Sequence, residues 1–311
     1  MRLLNGHQLV FIDEAQRVKN SGLTLKIIVD RIKNVQLLVS GSSALEIANE
    51  INEPLTGRKW EYMLYPISWE ELADYVGFLD AERQLDHRLI YGMYPEVIMH
   101  PGQEKEILLQ LAGSYLYKDI LSMNGIRKPD LLEKLLKALA LQMGSEVSYN
   151  ELSQLLEVDK KTIVHYLDLL EKAFVVFRLP PLSRNLRNEI NRSRKVYFFD
   201  NGIRNALIAN FQPLSLRQDV GALWESFLIS EGMKRLHYRA IRANRYFWRT
   251  HQQQEIDYIE EFDGVLHAYE FKWNPSKKVR FPKTFLNAYP NHQVSIITRN
   301  NYWDLLTGVF Q

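Results

Sequence analysis

The stretch Glu255-Ile256-Asp257-Tyr258-Ile259-Glu260-Glu261-Phe262-Asp263-Gly264-Val265-Leu266-His267-Ala268-Tyr269-Glu270-Phe271-Lys272 decides how the rest of the chain is read. Strand patterns at 255–260 and 265–273 flank Phe262-Asp263-Gly264, whose glycine and aspartate are a hairpin signal. Folding the hairpin brings Asp257 to Glu270-Phe271-Lys272 across twelve intervening residues, and period two sets Glu270 and Lys272 on one face. Two such carboxylates are hard donors for a divalent cation that polarises a phosphate and acidifies a bound water. Lys272 is placed to orient that water or to stabilise charge developing on the phosphate. Glu255 is a further acid on the same strand. Working outward, a helix over 222–236 carries Glu225, expected to complete the metal shell or to hold Lys272. Strand patterns at 246–250 and 293–298 complete a sheet.

Helix-Glu, strand-Asp, turn and strand-Glu-x-Lys, in this order, resemble the PD-(D/E)XK nuclease superfamily over roughly residues 220–300. The resemblance implies a mixed sheet flanked by helices, with Asp257, Glu270, Lys272 and Glu225 as the active-site set and magnesium or manganese held by the three acids. The charge distribution agrees with a polyanionic partner. Residues 1–171 hold 18 bases and 25 acids, whereas residues 172–311 hold 21 bases and 12 acids. Lys234, Arg235, Arg239, Arg242, Arg245 and Arg249 interleave with Tyr238, Tyr246, Phe247 and Trp248, a mixture suited to a nucleic-acid groove.

Upstream, residues 130–203 read as helix, short helix, turn, longer helix and strand pair, the order of a winged helix-turn-helix. Ser148-Tyr149-Asn150-Glu151 has a capping-box pattern, and Asp159 caps the helix from Lys160 to Lys172. Lys160 and Lys161, with Thr162, His165 and Tyr166, occupy the first turns of the expected recognition helix. Arg178, Arg184, Arg187, Arg192, Arg194 and Lys195 crowd the wing, where phosphate contacts are expected. Nucleic acid, DNA in particular, is the expected partner.

At the other end, Gln8-Leu9-Val10-Phe11-Ile12-Asp13-Glu14 is an apolar strand closing on two acids, the form of a Walker B element. An amphipathic helix runs to about Lys33, and a second apolar strand, Val35 to Val39, ends in Ser40-Gly41-Ser42-Ser43. Leu55-Thr56-Gly57-Arg58 follows, then a strand pattern from Trp60 to Ile67 and a capping box at Ser68-Trp69-Glu70-Glu71. Together with Tyr91-Gly92-Met93-Tyr94-Pro95-Glu96, Lys118-Asp119-Ile120 and Lys195-Val196-Tyr197-Phe198-Phe199-Asp200-Asn201-Gly202, these motifs resemble a prokaryotic AAA+ ATPase family that ends in a domain of unknown function. The resemblance implies an ATP site at Asp13 and Glu14, a sensor-1 position at Ser42 or Ser43, and a phosphate-sensing Arg58. It departs from the family in one respect: no G-x-x-x-x-G-K-[ST] loop and no Gly-Lys pair occur. In the family that loop precedes the Walker B strand, so the chain is expected to begin part-way through its ATPase domain, with ATP use confined to longer relatives.

The expected organisation is α/β and α+β multidomain: a partial ATPase sheet over 1–72, a helical connector over 73–129, a winged helix over 130–203 and a nuclease-like domain over 204–311. With no cysteine, disulfides and thiolate chemistry are excluded. No apolar run of membrane-spanning length and no secretory leader pattern occur, so a cytoplasmic protein is expected. A homo-oligomer or a partner protein is compatible with the AAA+ resemblance. Three functions stay open: a metal-dependent nuclease, a non-catalytic DNA- or protein-binding module, and an ATPase completed by a further segment.

Overall fold

The computed structural model describes residues 6–15, 18, 20–32, 34–41, 55, 57–115, 128–183 and 194–308. The expected helix from about Ala44, the Lys118-Asp119-Ile120 stretch and the wing loop with Arg184, Arg187 and Arg192 lie outside these residues. The architecture is mixed α and β, with three separate sheets among the described residues. No helix among them is long and apolar enough to cross a membrane.

The N-terminal part is a β–α–β unit. Strand β1 (Leu9–Ile12) and strand β2 (Gln36–Val39) pair in parallel, joined through helix α1 (Ser21–Arg31). Leu25, Leu55, Ile12, Val29, Leu37 and Val39 form a small cluster on one face. The other face leaves Leu9, Phe11 and Leu38 exposed. The strand expected from Trp60 to Ile67 does not form among the described residues. Those residues form no ladder, although the Ile67 N–H reaches the Met93 carbonyl at 2.9 Å, and Trp60, Tyr62 and Leu64 are exposed. Alternating apolar residues make a strand only where a neighbour satisfies the backbone.

From Trp69 onward one apolar core runs continuously to Leu306. It begins with helices α2 (Trp69–Val76), α3 (Phe78–Tyr91), α4 (Pro95–Met99) and α5 (Glu104–Gln110), the last continuing into a π-helical turn at Leu111–Tyr115. The capping box at the start of α2 is complete, since the Ser68 hydroxyl accepts from the Glu71 N–H and the Glu71 carboxylate accepts from the Ser68 N–H at 2.7 Å. Helix α6 (Pro129–Leu141), strand β3 (Glu146–Val147), helices α7 (Tyr149–Leu155) and α8 (Lys160–Lys172), and strands β4 (Val176–Leu179) and β5 (Arg194–Phe198) follow. Their antiparallel sheet has the order β3-β5-β4. Ser148 caps α7 through the Glu151 N–H, and Asp159 caps α8 through the Thr162 N–H at 2.9 Å. Buried Ile163, Leu167 and Leu170 recur at helical spacing and turn the apolar face of α8 inward.

After helix α9 (Asn201–Leu207), the long helix α10 (Val220–Tyr238) precedes strands β6 (Asn244–Arg249), β7 (Glu255–Phe262) and β8 (Val265–Phe271). Helix α11 (Lys283–Ala288) crosses to strand β9 (His292–Ile297), and helix α12 (Tyr302–Thr307) ends the described chain. The sheet order is β6-β7-β8-β9, antiparallel except for the parallel pair β8 and β9. Tyr258, Tyr269 and Phe271 join the large core, while Trp248, Ile256, Ile259, Leu266, Ala268 and Phe285 form a second cluster. The last sheet is thus covered on two faces. It is also stitched to the middle one, because Phe247 exchanges backbone hydrogen bonds with Pro180 and Leu182, just past the end of β4.

Two of the sequence motifs meet in this body. The Asp200 carboxylate caps α9 and accepts the Met93 N–H at 2.6 Å. Gly92 has φ of 73°, and a Cβ there would lie 2.0 Å from Asp200 Oδ1. Only a residue without a side chain allows this approach. A third motif joins through Glu231, whose carboxylate accepts the Trp69 N–H at 2.7 Å and pairs with Lys234 at 2.6 Å.

Candidate active site

Asp257, Glu270 and Lys272 meet where β7 and β8 leave the hairpin at the end away from its turn. Lys272 Nζ lies 2.6 Å from Glu270 Oε2 and 3.1 Å from Asp257 Oδ2. The Phe271 N–H donates to the same Asp257 oxygen at 2.8 Å. A register shift helps to aim Asp257: Tyr246 opposes Ile259 and Trp248 opposes Ile256, so β7 carries one residue more than β6 at Asp257 and Tyr258. Such a bulge turns side chains away from strict alternation.

Burial and the neighbouring charge of Asp257 push the Glu270 carboxyl up to about 7, against the pull of Lys272. For Lys272 burial works against the charge, but Asp257 and Glu270 outweigh it and hold the ammonium above its ordinary range. Both directions follow from a crowded, partly dry cluster with more negative groups than positive ones.

Glu225, on the second turn of α10, faces a different cation. Its Oε1 accepts from Lys195 Nζ at 3.0 Å and from the Tyr197 hydroxyl. Burial first, and Asp257 in addition, raise the Glu225 carboxyl, with Lys195 opposing. Glu255 also reaches Lys195, at 2.5 Å. Lys195 and Tyr197 are site residues that the motif reading assigned elsewhere, Lys195 to the phosphate-contacting wing. The available signal was a lysine directly joined to the apolar run Val196-Tyr197-Phe198-Phe199, since a lysine in a buried strand requires an anionic partner.

Whether a cation fits can be judged from the donors. Among the described residues no three His, Asp or Glu side chains converge to hold a metal ion. Two carboxylates suffice for magnesium or manganese when water and substrate oxygens fill the other positions. Asp257 and Glu270 meet that lesser requirement; burial first, and the neighbouring Asp257 charge second, raise the Glu270 carboxyl.

The N-terminal acids are arranged differently. Asp13 Oδ1 accepts from the Glu14 N–H at 3.0 Å and from the Ser40 hydroxyl. Ser40, the first residue after β2, was missed in favour of its neighbours; Ser42 lies outside the described residues. Arg58 pairs with Asp30 of α1, both half exposed. Residues 1–73 match the AAA domain family. Residues 82–214 match a domain of unknown function (DUF8612), and residues 220–305 match another (DUF4143). The chain is similar to AAA-type ATPases that end in a C-terminal domain of unknown function.

Among curated proteins, one from Mycobacterium tuberculosis, described as uncharacterized, is 29% identical over 269 residues, covering 85% of this chain and 58% of the relative. A Mycobacterium bovis protein gives the same figures. An uncharacterized protein of Methanocaldococcus jannaschii is 23% identical over 318 residues, 94% of this chain and 68% of its own. The chain therefore spans 58% of the length of its mycobacterial relatives. No solved structure matches it.

Of the basic residues expected at nucleic acid, Lys160, Lys161 and Arg242 are exposed, and Arg194 and Arg245 are half-buried. Others are used internally. Arg178 binds Asp168 at 2.7 Å and Glu171, Lys234 binds Glu231, and Arg235 forms a fully buried pair with Glu260. Arg239 reaches Glu70 at 3.2 Å and Arg249 reaches Glu146 at 3.4 Å. Arg178, Arg239 and Arg249 thus pair with acids of the N-terminal half, whereas Lys234 and Arg235 are matched by acids of their own half.

Proposed function

We propose that the C-terminal region is a metal-dependent phosphodiesterase acting on DNA, within an AAA-type protein whose middle region is a winged helix that binds the duplex. The observation that carries this reading is the contact of Asp257, Glu270 and Lys272 within an α–β–β–β–α–β unit, α10 to β9. That order supports the PD-(D/E)XK resemblance. The run from α6 to β5 with its three-stranded sheet supports the winged-helix reading in the same way.

Asp257 and Glu270 would hold magnesium or manganese. When bound, the cation supplies Lewis-acid polarisation of the scissile phosphate and a more acidic water. Lys272, reaching both carboxylates, sets its ammonium beside the position of the reacting phosphate, where negative charge develops. The Phe271 N–H fixes the Asp257 carboxylate. Exposed Lys160 and Lys161 on the first turn of α8, with Arg242, supply phosphate contacts that set affinity rather than sequence choice. No phosphate-cradling Gly-Lys loop occurs in this sequence, so no ATP step is built on Asp13 and Glu14.

The test is cleavage of supercoiled and linear DNA in manganese by the full chain beside Glu270→Ala and Lys272→Ala. Loss of at least about 100-fold in rate is expected for each. Equal cleavage by all three proteins overturns the reading. One observation favours a second function, a non-catalytic binding module: Lys272 already pairs both carboxylates. Calorimetry without a manganese site, together with retained DNA binding, would establish that alternative.

A further inference from the structure

Lys195 is 2% exposed, yet it carries an ammonium into the carboxylate cluster from a strand outside the C-terminal sheet. It lies 3.0 Å from Glu225, 2.5 Å from Glu255 and 5.5 Å from the centre of the Phe247 ring. Tyr197, two residues along β5, donates its hydroxyl to the same Glu225 oxygen that Lys195 reaches. A buried ammonium persists only where anions compensate its lost hydration. The four acids around the site thus divide into two pairs, Glu225 with Glu255 on Lys195, and Asp257 with Glu270 on Lys272.

The two lysines differ in depth and origin. Lys272 is 19% exposed and belongs to the same hairpin as its acids, so it can move aside. Lys195 is fixed by the sheet of the middle region, which the Phe247 backbone bonds to Pro180 and Leu182 lock against the C-terminal sheet. We propose that Lys195 is a positioning residue, an internal cation that β5 delivers to Glu225 and Glu255, so that Asp257 and Glu270 alone face an added divalent ion. This rests on the reading of Asp257 and Glu270 as metal donors. It makes the site a joint product of two sequence regions, and it removes Glu225 from the metal shell.

The experiment uses the full chain, manganese chloride, titration calorimetry and thermal melting. Glu225→Gln is expected to keep manganese affinity within about twofold of the unaltered chain, whereas Glu270→Gln loses about tenfold or more. In Lys195→Met, Glu225 keeps the Tyr197 hydroxyl and Glu255 keeps Arg249 at 4.0 Å, but both lose their buried cation and accept the ion, so manganese raises its melting temperature at least about twice as far as that of the unaltered chain. Adding Glu225→Gln to Lys195→Met abolishes that extra rise.

A tenfold loss of affinity in Glu225→Gln overturns the proposal, as does an equal manganese response in Lys195→Met and the unaltered chain. Should Lys195→Met fail to fold, Glu225→Gln alone decides. Should the unaltered chain bind no manganese, the metal reading falls and the Lys195 pairing is judged by melting without metal. The double variant melting above Lys195→Met then upholds the pairing, and additive losses overturn it.

Discussion

Two strands of this chain end on acidic side chains, and the two outcomes differ. Asp13 and Glu14 follow β1 in a two-stranded sheet that leaves Leu9 and Phe11 in solvent, and Asp13 is met by the Ser40 hydroxyl and a backbone N–H. Asp257 and Glu270 lie in a four-stranded sheet with apolar clusters on both faces, and they share Lys272. Similar residue patterns therefore give different chemistry. Dry walls raise the Glu270 carboxyl and make each ion pair matter, whereas high dielectric leaves a polar contact little energy to contribute.

That contrast can be tested through ion pairs of similar kind and unequal burial. Arg235→Met leaves Glu260 buried without its cation and is expected to cost about 3–5 kcal/mol, roughly 10 °C in melting temperature by calorimetry. A shift of only a degree or two would remove burial as the explanation. Gly92→Ala comes next, at about 2–3 kcal/mol, because its Cβ collides with Asp200 at a backbone angle that disfavours side chains. Denaturant unfolding measures it, and a neutral result would mean that the junction yields.

Asp219 sharpens the comparison through pH. Burial works against its ionisation, but hydrogen bonds from Arg217 and Arg204 prevail and hold the carboxyl down to about 2. A depressed value in the folded state means stability that is present above about pH 4 and lost as pH falls towards 2. Asp219→Asn should therefore be less stable than the unaltered chain by about 1–2 kcal/mol at pH 6, allowing for partial exposure, with the gap closing on acidification. A gap independent of pH would assign the loss to packing. Arg58→Met, which breaks the half-exposed pair with Asp30, is expected to change stability by less than about 1 kcal/mol in the same melts. A change as large as that of Arg235→Met would erase the distinction between the two regions.

Much of the local structure was legible in advance for identifiable reasons. Ser68 and Asp159 stand at helix starts where a side-chain oxygen captures an orphan N–H, and both do so. The hairpin at Phe262-Asp263-Gly264 forms as the glycine and aspartate demand, with Asp263 and Gly264 both at positive φ. The unpaired run at Trp60–Leu64 was misread, because alternation records which side chains are apolar and not whether a neighbouring strand exists. The basic field was overread for a similar reason. Charge counts cannot tell Lys160, which is exposed, from Lys234 and Arg235, which are sealed against Glu231 and Glu260.

By itself the sequence determined the local geometry of the C-terminal hairpin and so the meeting of Asp257 with Glu270 and Lys272, since strand period and turn chemistry act over a few residues. Only the tertiary structure decided that Lys195 and Tyr197 stand beside Glu225, thirty and twenty-eight residues away in the chain. That contact depends on how two sheets pack, a choice made by the summed burial of many side chains and carried by no single motif.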